Sequence, residues 1–471
     1  MKKLRLATLF LVVLLVASCN KNKDNDKKVV QLKDEEISEW IYENMQYIYF
    51  WNYLIPQGLN PLTESDPAAF YESLLYREED KWSFITSDYT AFEAELDGVP
   101  ESMGYSPAFG LFRNSDKVFI VVEYVYPGTP ASEAGLKRGD IIMTIDGSPM
   151  DTTNYLDLYK QSSYTAGLGI YDGESITLSG ETVSMVSRVI SADPVLHHEI
   201  IDPDSSKIGY IAYAEFISGA TNEFVNSLDL VISDFLNSGV RDLIVDLRYN
   251  PGGQINMAGY LASSIAPAST IASGSVLVKL LYNSFLTEYY TDRYGPESEE
   301  IFNYHFPGSN FNLNLDRVYF LTTKNTASAS ELVISGLEPY MEVNVVGDST
   351  YGKYTGAWVY PDTESPPRHN WAIIPIVLKY ANADDFTNFK DGLLPDYYVE
   401  DNLLEAYPFG DVDDPMIATA VNLIKGTPLK RTGLTYRPYR DLAKPGWDLK
   451  SNLYLDHPEF KEDFRKISEN E

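Results

Sequence analysis

Leu243-Ile244-Val245-Asp246-Leu247 runs directly into Arg248-Tyr249-Asn250-Pro251-Gly252-Gly253, so a short apolar run ends in a loop with paired glycines. Apolar runs of this length, bounded by turn residues, read as strands buried on both faces, the kind found in parallel sheets covered by helices. The surrounding sequence agrees. Residues 208–216 read as a strand, and residues 222–237 as a helix with Phe224, Leu228, Val231, Ile232 and Phe235 on one face and Gly239 as its stop. Further on, 257–265 read as a helix, 318–321 as a strand, 330–340 as a helix and 343–346 as a strand. This alternation predicts an α/β domain of βαβ units over 189–426. Residues 282–307, rich in Tyr, Glu and Gly, read as an inserted loop or lid, and the polar extension 427–471 as irregular and without chemistry.

Two local patterns in this domain carry chemistry. Asn325-Thr326-Ala327-Ser328-Ala329-Ser330-Glu331 is followed by Tyr351-Gly352-Lys353, which offers a nucleophile and a base without histidine. A serine hydroxyl needs a neighbour to take its proton, and a lysine serves once its surroundings keep it neutral, as burial between Tyr351 and Tyr354 would. The same residues also fit plainer roles, since Ser328 with Glu331 ahead of Leu332, Val333 and Ile334 is a helix capping box and Gly352-Lys353 a turn. The roles are compatible, because a helix N-terminus presents free N–H groups beside an oxyanion. N–H groups of Gly252 or Gly253, with that of Ala329, are the candidate oxyanion hole.

The N-terminal end gives a different kind of information. Lys2, Lys3 and Arg5 precede an apolar stretch from Leu6 to Ala17, too short to span a bilayer as a helix and suited to a secretory signal over 1–18. Cys19 is the only cysteine of the 471-residue chain, which excludes an internal disulfide, and Val16-Ala17-Ser18-Cys19 resembles a bacterial lipobox. That resemblance implies cleavage before Cys19 and a lipid anchor as the only membrane contact, with the polar segment 19–33 as a tether and the body in the cell envelope. Loss of residues 1–18 takes three positive charges and moves the formal net charge from -31 to -34, which argues against nucleic acid and anionic lipid surfaces as partners. The five histidines, His197, His198, His305, His369 and His457, show no metal-ligand spacing with acids, so neither metal nor cofactor is expected. The 13% aromatic content reads as core and strand residues.

Between the tether and the α/β domain lie two further units. Residues 34–96 repeat Ile37, Trp40, Ile41, Met45, Ile48 and Tyr49 at spacings of three and four, which predicts a small helical domain. Residues 97–188 contain Tyr105-Ser106-Pro107-Ala108-Phe109-Gly110-Leu111-Phe112, Pro127-Gly128-Thr129-Pro130-Ala131, Ala134-Gly135-Leu136, Gly139-Asp140-Ile141-Ile142 and Ile145-Asp146-Gly147. This series resembles a bacterial PDZ domain. The resemblance implies a groove where a peptide adds as a strand, its terminal carboxylate held by N–H groups near Phe109, Gly110 and Leu111.

Asp246 to Gly253, Ser328-Ala329-Ser330-Glu331, Gly347-Asp348, Gly352-Lys353 and Gly392-Leu393-Leu394-Pro395-Asp396, preceded by the PDZ-like segment, together resemble the C-terminal processing (tail-specific) serine peptidases. The helical region and the lipobox look like those of a Bacteroidetes branch of lipoproteins in this family. The resemblance implies a multidomain α+β chain: a helical N-terminal domain, a β-rich PDZ domain and a ClpP/crotonase-like α/β peptidase domain. It further implies Ser328 as nucleophile, Lys353 as base, oxyanion donors at Gly252 or Gly253 and Ala329, and protein or peptide substrates with free C-termini. One departure stands out. Many members place a glutamine four residues after the lysine to orient it, and here that residue is Ala357, which leaves Thr355, Tyr351 or a backbone carbonyl to do so. The departure also keeps open a catalytically inactive peptide-binding protein, or a scaffold of an envelope assembly.

Overall fold

The computed structural model describes residues 31–202, 205–428, 439–442 and 452–455; the expected signal segment, Cys19 and His457 lie outside them. Three helices, α1 (Asp34–Ile48), α2 (Pro67–Ser73) and α3 (Tyr89–Leu96), make the N-terminal region. Helix α1 buries Ile37, Ile41, Met45 and Ile48, a stripe at helical spacing. Asp66 caps α2 by accepting the Ala69 N–H, with Pro67 at the first helical position. These side chains close no separate core. They share one apolar cluster with Leu261, Ile265, Leu332 and Ile374, so the helical region is part of the wall of the α/β domain.

The second unit is an antiparallel sheet of β1 (Tyr105–Phe112), β2 (Val118–Val125), β3 (Ile141–Ile145), β4 (Ser163–Tyr171) and β5 (Ile176–Val186), paired in that order. Helix α4 (Tyr155–Tyr159) covers it next to β1, with the rings of Tyr155 and Tyr159 each 5.3 Å from that of Phe109. Phe109, Gly110 and Leu111 lie within β1, and Phe109 and Leu111 point into the core of the unit.

The α/β domain follows with β6 (Val195–Ile201), β7 (Ile208–Tyr213), α5 (Glu223–Ser238), β8 (Asp242–Asp246), β9 (Gly253–Gln254) and α6 (Ile255–Ile265). It continues through β10 (Val276–Tyr282), β11 (Asn303–His305), β12 (Arg317–Thr322), α7 (Ala329–Leu337), β13 (Glu342–Gly347), β14 (Thr355–Trp358), β15 (Ile376–Asn382), β16 (Tyr397–Tyr398) and α8 (Pro415–Ile424). One sheet has the order β6-β7-β8-β12-β13-β16, parallel except for the β6–β7 pair. All residues of β7 and β8 are buried, as continuous apolar strands require. His197 and His198 stand on the edge strand β6. The segment 282–307 differs from the expected loop: Ser284–Tyr294 is helical and β11 pairs with β10, and the helix buries only Leu286 and Tyr290, too few to show an apolar period in the sequence.

The polar extension also departs from expectation. Strand β17 (Tyr439–Asp441) adds antiparallel to the free edge of β1, and β18 (Leu453–Leu455) runs parallel between β9 and β14 in a second sheet ordered β9-β18-β14-β15-β10-β11. Three-residue strands are too short to show a period, which is why the sequence reads as irregular there.

A buried charge cluster joins the PDZ-like unit to the α/β domain. Arg138 donates to the Tyr249 hydroxyl at 2.6 Å and the Glu123 carbonyl at 2.9 Å, and pairs with Asp401 at 3.4 Å. Arg248, wholly buried, pairs with Asp246 at 2.6 Å, Asp414 at 2.8 Å and Asp401 at 3.1 Å. Burial pushes the Asp401 carboxyl up, but the guanidinium groups of Arg248 and Arg138 hold it below its ordinary value. Its contribution to stability is therefore present above the ordinary aspartate value and is lost only as pH falls through the depressed one.

Candidate active site

Strands β8, β12 and β13 are parallel neighbours, with Asp246 opposite Leu321 and Thr322 opposite Gly347. The loops that leave them must emerge at one edge of the sheet, the carboxyl edge where open α/β sheets bind ligands. Those loops carry Arg248 to Gly252, Thr323 to Ser328, and Asp348 to Lys353. Parallel register is thus what brings Gly252, Ser328 and Lys353, separated by 76 and 25 positions, into one site. Cross-bonds lock the loops together: Ala327 N–H donates to the Asn250 carbonyl at 3.1 Å, and Tyr351 N–H to the Thr326 carbonyl at 2.9 Å.

Ser328 sits at the N-cap of α7 with φ 59° and ψ -109°, a conformation that costs a non-glycine residue roughly 1–3 kcal/mol. Its side chain is wholly buried and Oγ has no hydrogen-bond partner. A strained backbone and an unsatisfied hydroxyl are what a held nucleophile would show. Glu331, expected as a capping residue, does more than cap. Its carboxylate accepts the N–H groups of Ser328 at 2.7 Å, Gly352 at 2.7 Å and Lys353 at 2.8 Å, and the Thr350 hydroxyl. One buried side chain therefore holds the backbones of both proposed catalytic residues. Burial raises the Glu331 carboxyl above its ordinary value, and these four hydrogen bonds oppose the rise.

Lys353 is also wholly buried. The Trp82 ring lies 5.5 Å from Nζ. The amine donates to Oδ1 of Asn452, the residue just before β18. Sequence reasoning missed both neighbours. Trp82 belongs to the helical region and Asn452 to the extension read as inert, and neither segment carries a local signal of chemistry. Thr355, one expected partner of the lysine, has a buried hydroxyl without a hydrogen-bond partner, and Ala357 is buried in β14. Gly352, at φ +94°, packs against the loop of Gly392, where an added Cβ would meet the Lys390 carbonyl at 2.5 Å.

Of the two candidate glycines, Gly252 is the one beside the serine. At φ +117°, a Cβ on it would fall 2.7 Å from the Ser328 Cβ and 3.0 Å from the Ala329 nitrogen, so only glycine fits. Gly253 is committed to the sheet, paired with Leu453 and pressed against the Phe216 carbonyl. Ala329, at the first helical position, has an N–H without an intrahelical acceptor. The Gly252 N–H donates to Asn250 Oδ1 at 2.9 Å, so an oxyanion here would compete with that side chain. A cavity of about 590 Å³ between the PDZ-like unit and this loop, walled by Ser106, Tyr124, Glu215, Tyr249 and Pro251, ends at the residue before Gly252. Across the β1 edge, Gly110 and Leu111 pair with β17, and the Phe109 carbonyl accepts the Leu442 N–H just beyond it.

Sequence comparison matches residues 207–399 to "Peptidase family S41", residues 36–84 to "Peptidase S41 N-terminal domain" and residues 121–163 to "PDZ domain". A carboxyl-terminal-processing protease of Synechocystis sp. is 26% identical over 64% of this chain and 63% of its own length. The chloroplastic carboxyl-terminal-processing peptidase 2 of Arabidopsis thaliana is 26% identical over 55% of this chain and 46% of its own. The chain thus spans about half to two thirds of these curated relatives. The crystal structure of a putative S41 protease from Bacteroides fragilis is 28% identical, covers 82% of this chain and 97% of its own, and superposes with a TM-score of 0.67. With a helical N-terminal region, a PDZ domain and a Ser328-bearing α/β core in the matched order, the chain belongs to peptidase family S41.

Proposed function

We propose that the protein is a serine endopeptidase in which Ser328 is the nucleophile and Lys353 the general base. The observation that carries this reading is the strained, buried and unpartnered Ser328 hydroxyl, whose backbone shares the Glu331 carboxylate with that of a buried lysine. Lys353 Nζ takes the hydroxyl proton as Oγ attacks the peptide carbonyl. Charge on the carbonyl oxygen is met by the N–H groups of Ala329 and Gly252, the latter released from Asn250. The ammonium of Lys353 then protonates the departing amine, leaving an acyl ester on Ser328. A water gives a proton to the Lys353 amine as it attacks the ester, and the Lys353 ammonium returns that proton to Ser328 Oγ as the new carboxyl end is freed. A fluorophosphonate probe should label Ser328 in the purified protein. Persistent absence of labelling, read by peptide mapping, would favour the non-catalytic binding reading instead.

Cys19 is proposed as a lipid anchor holding the body at the cell envelope, and the PDZ domain as the part that selects free C-termini. The edge of β1 on which such a peptide would add is occupied by the chain itself. Tyr439 pairs with Phe112, Asp441 with Gly110, Leu442 N–H donates to the Phe109 carbonyl at 2.9 Å, and the Leu442 side chain packs on the cluster that holds Phe109. A substrate tail therefore has to compete with residues 439–442. Leu442→Asp removes a half-buried side chain worth about 1 kcal/mol, so a fluorescent peptide with an apolar C-terminus should bind about fivefold tighter in anisotropy titrations. An unchanged dissociation constant would place peptide recognition elsewhere.

A further inference from the structure

Ala357 occupies the place from which a side chain on β14 would steer the lysine, and its methyl can form no hydrogen bond. The carboxamide of Asn452 meets the same amine from the neighbouring strand. Leu453, the next residue, pairs with Gly253 on one side and Gly356 on the other, so β18 fixes Asn452 between the glycine loop and the lysine strand. Asn452 is wholly buried, and its Nδ2 reaches the Trp82 carbonyl at 3.5 Å, which turns Oδ1 toward Lys353. Trp82 is held in turn by Asp80, whose Oδ1 accepts the Trp82 N–H at 3.0 Å and the Ser83 N–H at 2.9 Å.

We infer that Asn452 is the positioning residue of the catalytic lysine, supplied in cis by the C-terminal extension; the inference rests on the Ser328–Lys353 reading. A neutral amine has two N–H donors and one lone pair. Binding one N–H to Asn452 removes rotation about the terminal bond, and the lone pair is then held in a fixed direction for the serine proton. An amide suits this role better than a carboxylate. It accepts a hydrogen bond without adding a negative charge that would hold the lysine as ammonium.

The test compares the full-length protein with Asn452→Ala and Asn452→Asp, measuring kcat, KM and the pH dependence of kcat on an unfolded protein substrate. Asn452→Ala should lower kcat roughly 10- to 100-fold with KM within about twofold, the scale of a misaimed reacting group. Asn452→Asp keeps the shape of the side chain and so folds even where alanine does not. Its carboxylate stabilises the ammonium, so the rising limb of the kcat profile should move up by about one pH unit or more. Ser328-dependent turnover that is indifferent to both substitutions overturns the inference and leaves the dyad standing. Turnover that survives Ser328→Ala overturns the dyad and the inference together, so the two failures are distinguishable.

Discussion

Replacing Ser328 with alanine should lower peptide hydrolysis by at least about 10³-fold and raise the melting temperature of the protein in the same preparation. The two effects share a cause. Ser328 Oγ is buried without a partner, and such a group costs roughly 1–3 kcal/mol relative to a site that never held it. Alanine keeps the strained backbone and removes the desolvated hydroxyl, so the transition should rise by a few degrees. A residue kept only for structure would behave in the opposite way. Lys353→Met, which fills a similar volume without a charge, should lower kcat roughly 10²- to 10⁴-fold, the range for loss of a general base, with the fold retained. Turnover and differential scanning fluorimetry on the two variants check both claims. A fall in melting temperature with activity retained in Ser328→Ala would end the assignment.

Glu331→Ala should have the largest effect on stability of any single change at the site. It leaves three amide N–H groups and one hydroxyl without their acceptor in a sealed interior. At roughly 1–3 kcal/mol each, the loss approaches the 5–15 kcal/mol that holds a whole domain together. The expected outcome is a protein recovered as aggregate or degraded during expression. Glu331→Gln should be intermediate, because one carboxamide oxygen replaces part of the acceptor set while its NH₂ faces donors. The wild-type carboxyl is raised, so its contribution is fully present below the ordinary glutamate value and declines as pH rises through the elevated one. A carboxamide cannot titrate, and the Glu331→Gln protein should lose that part of the pH dependence of melting. Folding of Glu331→Ala with wild-type stability would show that water replaces the carboxylate.

The proposed catalytic pair was legible because its signals are local. A buried strand, a glycine turn and a serine before an amphipathic helix are each written within about ten residues, and parallel register then brings their loops together. Arg248 was read as part of a turn, yet it is the buried partner of Asp401 and Asp414, some 150 residues on. Glu331 was legible as a cap but not as the acceptor for Gly352 and Lys353, since one local role fully accounts for it in the sequence. Asn452, Trp82 and the pairing of Tyr439 with Phe112 were invisible for a different reason. Each depends on short segments whose burial is decided only by the sheets they join.

The position of Asn452 along the chain also sets an order in time. It follows Lys353 by 99 residues. At the usual pace of protein synthesis the ribosome delivers it on the order of 5–20 seconds after the lysine. During that interval β9 and β14 have no strand between them, and the amine has no carboxamide to aim it. A partly made chain would thus hold Ser328 and Lys353 without the carboxamide proposed to aim the amine.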